Sequence, residues 1–231
     1  MQPDQSPAYQ RCLLGHEKEI VGIMITSGID ANCANHVFIN CPFTDDFRPL
    51  FQCAIFTVLL CGFLPRSALE AGDGSEVRMD KITRLIRESQ YSIHDLSAVQ
   101  LDAFNELPRF NMPFELGMVI GSKRFGGKRF AGRSALIMEH TRYASQKCLS
   151  DIAGQDLSAH NGAPRRISRI IRTWLAQESR RNDIPGDQRV FGAYEKFATE
   201  LPSICASRGL EYEGLSYPDF LGLAQVWINA H

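Results

Sequence analysis

The chain has 231 residues, of which 25 are basic and 26 acidic, so its net charge is −1, and 44% of it is hydrophobic. These proportions belong to a globular protein with a sizeable core, and they exclude a disordered chain or one drawn to nucleic acid or anionic membrane by bulk charge. The longest apolar run, near Ala54 to Leu64, is too short for a bilayer and no basic-then-apolar leader opens the sequence, so the expected location is cytoplasmic.

In chain order, residues 1–35 are irregular and rich in Gly, Asn, Gln and Pro, and read as an N-terminal extension. From His36 the pattern changes. "HVFIN" predicts a short buried strand, and "CPFTDDF" a turn in which Thr44 and Asp45 are natural helix caps. Pro49 suits the first turn of the next helix, which "LFQCAIFTVLLCGF" carries to a stop at Gly62. "FLPRSALE" is a second strand and "AGDGSE" a loop. "EVRMDKITRLIRES" is an amphipathic helix with Val77, Ile82, Leu85 and Ile86 inward. "YSIHDLS" predicts a third strand that ends on Asp95 and Ser97. A loop through Pro108 leads into a helix, "NMPFELGMVIG", and "SALIMEH" is a fourth strand. "RYASQKCLSDIAG" is expected to be helical and "QDLSAHN" to be an edge strand. "PRRISRIIRTWLAQESRR" is a helix with Ile167, Ile170, Ile171, Trp174 and Leu175 inward; a linker at 182–187 and two more helices complete the chain.

Strands alternating with helices predict an α/β fold, a flavodoxin-like (Rossmannoid) parallel sheet with helices on both faces, plus C-terminal helices. The domain reading is an extension at 1–35, the sheet domain at 36–182, and a helical addition at 183–231, either packed on the sheet or used between subunits. Seven cysteines are widely scattered, with no C-x-x-C and no zinc-ligand spacing, and read as reduced, buried, small hydrophobes. No metal or cofactor motif is present in the sequence.

In a parallel sheet, ligands bind beyond the carboxyl ends of the strands. That rule collects Asn40, Pro42, Phe43, Thr44, Asp45 and Asp46 after the first strand, and Arg66 and Glu70 after the second. Asp95, Ser97, Arg109, Asn111 and Glu115 follow the third. Glu115 has two readings. With Met112 as N-cap it occupies the third helical position, that of a capping-box glutamate. The same position suits a carboxylate that attacks a sugar C1′ or stabilises an oxocarbenium-like transition state. Asp95 is either a loop cap or a binder of ribose hydroxyls. His94 and Asp95 point to opposite faces by strand alternation, so they share no role. "GSKRFGGKRFAGR" reads as a solvated loop at the far end of the sheet, and Arg165, Arg166, Arg169 and Arg172 as the wet face of a helix.

"INCPF", "IHDLS" and "FNMPFELG" together resemble the nucleoside 2-deoxyribosyltransferase-like group, flavodoxin-like proteins related to Toll/interleukin-1 receptor (TIR) domains. The resemblance spans about His36 to Glu139. It implies that Pro42 and Phe43 form the turn under base and sugar, that Asp95 is the aspartate after a middle strand, and that Glu115 is the nucleophile on C1′. TIR enzymes similarly place an essential glutamate on the helix after the third strand, and cleave NAD, often in antiphage defence. The transferases' D-x-G-T lead-in is here "PRFNMP", and the S-x-W-C of TIR domains is absent, so the chain stands as a divergent relative of both.

The function expected on this basis is cleavage of the N-glycosidic bond of a nucleotide, NAD foremost, as a substrate and not a cofactor. Glu115 would act at C1′, Asp95 would orient the sugar hydroxyls, Asn40 and Pro42 to Thr44 would hold the nucleotide with Ser97 and Asn111, and Arg48, Arg78 or Arg109 would hold phosphate. The alternatives are a deoxyribosyltransferase or nucleotide N-glycoside hydrolase and, from another class, a non-catalytic nucleotide-sensing or assembly module. The expected partners are a nucleotide and further copies of the chain, with neither membrane nor nucleic acid.

Overall fold

A computed structural model of the chain describes residues 33–99 and 109–231. The N-terminal extension, apart from its last residues, and the loop through Leu107 and Pro108 lie outside the described residues. Five strands, β1 (His36–Asn40), β2 (Leu64–Arg66), β3 (Tyr91–Asp95), β4 (Ser134–Glu139) and β5 (Leu157–Ala159), form one parallel sheet in the order β2-β1-β3-β4-β5. This is the flavodoxin-like order, with its topological switch between β1 and β3. The register pairs Val37 with Tyr91 and Ile93 with Leu136, which aligns the last residues of β1, β3 and β4 along one edge.

Parallel strands need crossover helices, and those helices cover both faces of the sheet. On one face Val37, Ile39, Tyr91, Ile93, Leu136 and Met138 pack against α1 (Arg48–Leu60) and α5 (Pro164–Ser179). On the other, Phe38 packs against α2 (Arg78–Arg87) and Val119 of α3 (Asn111–Phe125), while Ile137 meets Met112 and Leu116. A single turn, α4 (Lys128–Ala131), leads into β4. Strand alternation thus decides which helix layer each side chain joins.

The C-terminal helices α6 (Asp187–Ser207) and α7 (Tyr217–Ala230) pack outside α1 and α5 and belong to the same core. From Leu50 to Leu59 every residue of α1 is buried, and Phe56 stacks on Phe197 with ring centroids 5.0 Å apart. Tyr217 donates its hydroxyl proton to Pro65 O at 2.7 Å, and Tyr194 to Pro49 O at 3.2 Å. Within the chain, residues 183–231 pack against the helix layer formed by α1 and α5. Between α1 and α5, Thr57 Oγ1 donates to Ser168 Oγ at 3.0 Å and Cys53 Sγ to Pro164 O at 3.3 Å. These buried bonds fix where α5 begins.

Several local expectations are corrected. Val77 is 62% exposed because α2 begins one residue later and Val77 is its N-cap. Residues 142–154 hold two 3-10 turns, Ser145–Lys147 and Ser150–Ile152, in place of a helix. Glu139 explains this locally: its carboxylate accepts from Ser145 N at 3.0 Å and Ser145 Oγ at 2.8 Å, which draws the chain back over the strand end. Arg133, assigned to a solvated loop, is 7% exposed and donates to Ile86 O at 2.6 Å and to Arg87 O, capping the end of α2. Cys41, Cys53, Cys61 and Cys205 are buried as expected, but Cys148 is exposed. No helix among the described residues is long and apolar enough to cross a membrane.

If α6 and α7 complete the core, removing Phe56 should damage the whole fold. Phe56→Ala is expected to lower unfolding free energy by about 3–5 kcal/mol in urea titrations. A loss under about 1 kcal/mol would mean that this contact layer is dispensable.

Candidate active site

The ends of β1, β3 and β4 and the starts of α1 and α5 enclose a cleft of about 410 Å³. Pro42, Thr44, Asp46, Phe47, Ser97, His140, Gly162 and Pro164 line it. Pro42, Thr44, Asp46 and Ser97 were expected at such an edge, whereas Asn40, Asp95 and Glu115 are not among the residues that line the cleft. His140 and Gly162 were not singled out, although they follow β4 and β5 and the same rule collects them.

Behind the cleft stands a buried cluster. Asp95 and His160 are both fully buried; His160 Nε2 lies 3.0 Å from Asp95 Oδ2 and 2.9 Å from Ser97 Oγ. Asp95 Oδ1 accepts from Ser97 N at 2.9 Å. Gly162 N donates to His160 Nδ1 at 3.0 Å, so the ring proton sits on Nε2. That tautomer decides the chemistry. His160 has no lone pair facing Ser97, so it cannot take the serine proton, and the three residues are not a nucleophilic triad despite their composition. Instead His160 donates to the Ser97 oxygen, which leaves the serine O–H to point elsewhere. Gly162, at φ +68°, is the residue that makes this turn, and a Cβ there would stand 3.1 Å from His140 Nε2.

Asn40 and His94 form a separate pair on the α3 side. Asn40 Nδ2 lies 3.0 Å from His94 Nδ1 and donates to Met112 O at 3.0 Å, tying the end of β1 to the start of α3. Burial pushes the His94 pKa down to about 3, so the ring is uncharged. As alternation required, His94 and Asp95 have different partners.

Glu115 is 5% exposed, and its pKa is pushed up to about 7, above all by burial, with Arg78 opposing the shift. The capping reading is corrected. α3 starts at Asn111 with Phe110 as N-cap, which makes Glu115 the fifth helical residue, beyond the reach of the orphan N–H groups. Among the described residues its carboxylate has no hydrogen bond or ion pair. Cys41 is near enough to feel both carboxylates: burial first, then Asp95 and Glu115, raise its thiol pKa well above the usual value.

The remaining expected residues are dispersed. Phe43 packs edge-on against Phe51, with centroids 5.5 Å apart. Arg48 pairs with Asp45 at 2.5 Å and donates to Glu213 O, so it holds a loop. Arg66 is bound to Glu70 at 2.8 Å and closes β2. Arg109 is exposed ahead of α3 and Asn111 is exposed as its first residue, and Arg109 N donates to Ala98 O at 3.0 Å. Arg78 is exposed and is the cation that Glu115 feels. Among the described residues, no three His, Cys, Asp or Glu side chains are grouped to hold a metal ion. Compared with known proteins, the chain matches no protein-family model, no curated protein and no solved structure.

A carboxyl whose pKa is higher folded than unfolded makes the native state bind more protons between about pH 4.5 and 7, so stability falls as pH rises through that window. Glu115→Gln is therefore expected to be more stable than wild type at pH 8 by on the order of 1–3 kcal/mol, and to match it near pH 4. Denaturant titrations at both pH values test this; equal stabilities at pH 8 would mean that Glu115 is solvated.

Proposed function

We propose that this protein cleaves the N-glycosidic bond of a nucleotide, with NAD as the substrate, through Glu115. One observation carries the reading: a largely buried carboxylate, its pKa raised by desolvation and without a hydrogen-bond partner among the described residues, beyond the third strand of a flavodoxin-like sheet. The motifs "INCPF", "IHDLS" and "FNMPFELG", which resemble nucleoside 2-deoxyribosyltransferase-like and TIR-like proteins, support it. A largely desolvated carboxylate is destabilised in its ionised form and gains when positive charge develops beside it. Rupture of the bond to nicotinamide develops that charge at C1′ and the ring oxygen of the ribose. Nicotinamide leaves as a neutral base, so the leaving group needs no protonation, and the ionised form of Glu115 is the active one.

In this reading Asp95 acts through others. Its two oxygens are engaged by Ser97 N and faced by His160, so it holds the loop and Ser97 presents its hydroxyl to the sugar or phosphate in the cleft.

Nicotinamide release from NAD, followed chromatographically, tests the proposal. Glu115→Gln is expected to lower kcat/KM by at least about 10²-fold. The wild-type rate should rise with pH and level off above about 7, because the ionised fraction rises there. Release unchanged in Glu115→Gln would sink the reading, as would base exchange on deoxynucleosides without NAD cleavage, or nucleotide binding without turnover.

A further inference from the structure

The first turns of α5 carry Arg165, Arg166 and Arg169, and all three open on one concavity of about 320 Å³, completed by Asp187, Gln188 and Phe191 of α6. Arg165 and Arg169 are one turn apart on the same face, where like charges repel. No acidic residue lies in the first turn of α5, and its N-cap, Ala163, has no side-chain acceptor. The arginines therefore crowd the positive end of the helix dipole, where an anion is the favoured neighbour. Among the described residues, no carboxylate lies within ion-pairing distance of any of the three. Asp187, the acid on the rim, is the first residue of α6 and suits that helix's own N-terminus.

Two of the guanidinium groups are also held in place. Arg165 lies over the Phe191 ring, with Cζ 5.4 Å from its centroid. Arg166 Nη1 donates to the Asn161 side-chain oxygen at 2.7 Å, with the amide oriented to satisfy both its ends. Such anchoring reduces the conformational freedom that must be lost on binding. In a chain of net charge −1, three arginines against one acid, Asp187, in one hollow are a local concentration of positive charge.

We propose that this concavity binds a diphosphate group, free or carried by a nucleotide, through Arg165, Arg166 and Arg169. Planar guanidinium forks donate paired N–H groups to phosphate oxygens. Two phosphates, at roughly 1.5 charges each, balance three arginines. A nucleotide is a natural carrier because Pro164 lines the cleft and the next residue, Arg165, lines the concavity. The site stands independently of Glu115 and of any cleavage reaction.

The test is calorimetric titration of the full chain with inorganic diphosphate at low ionic strength. Saturable binding is expected, weakened at least about tenfold by Arg165→Ala/Arg169→Ala and by added salt, and unchanged by Arg208→Ala on a distant exposed turn. Asp187→Asn should tighten it. All these side chains are exposed, so the variants should keep the wild-type circular dichroism. A nucleoside diphosphate that binds tighter than diphosphate assigns the group to a nucleotide, and equal affinities assign it to free diphosphate; the site stands in both cases. No saturable binding, equal binding by the double variant, or binding of polyanionic nucleic acid alone would overturn the proposal.

Discussion

All five strands of this sheet run parallel, and much of the molecule follows from that. Each connection must cross over one face, so both faces are covered and the strands are buried on both sides. Polar side chains with work to do are consequently confined to the strand ends and the turns that follow them. Asn40, Asp95, Glu139 and His160 all sit there, and all are buried. The same constraint absorbs the C-terminal helices: α1 and α5 cover one face, and their outer surfaces are themselves apolar enough to need α6 and α7.

The two carboxylates after β3 show how neighbours set chemistry. Asp95 is the more deeply buried, yet Ser97 N supplies it a donor and a histidine nitrogen stands close by. Glu115 has no such partner among the described residues, and desolvation pushes its pKa up to about 7. Through Oδ1, Asp95 ties the end of β3 to the turn that follows, while its buried Oδ2 makes no hydrogen bond among the described residues. A desolvated carboxylate such as Glu115 is a group whose energy changes when a charge forms beside it.

Gly162 has an influence out of proportion to its size. Its positive φ turns the chain after β5 so that its own N–H reaches His160 Nδ1. That single bond selects the histidine tautomer, and with it which way the Ser97 hydroxyl is used. A Ser, a His and an Asp within 3.0 Å of one another would suggest a nucleophile by composition; the position of one proton argues against it.

Periodicity in the sequence sufficed for the order of strands and helices, for the layer to which most apolar residues belong, and for placing Glu115, Ser97 and Pro42 at the carboxyl edge. Those are local properties, since side-chain direction in a strand or helix follows from spacing. Where local signals misled, a long-range polar contact had intervened: Glu139 recruits the 143–145 segment away from a helix, and Arg133 leaves its loop to cap α2. His160 joined Asp95 only because β5 docks beside β4, and the arginines of α5 share a hollow only because α6 returns against that helix. Of the two neighbours, Phe114 and Leu116, expected to keep water from Glu115, Leu116 is buried but Phe114 is 58% exposed, so the desolvation of the carboxylate depends also on what packs around the helix start. The sequence by itself determined the elements and their faces; the tertiary structure alone decided which polar groups meet, because hydrogen-bond partners here lie up to 165 residues apart and spacing along the chain carries no record of them.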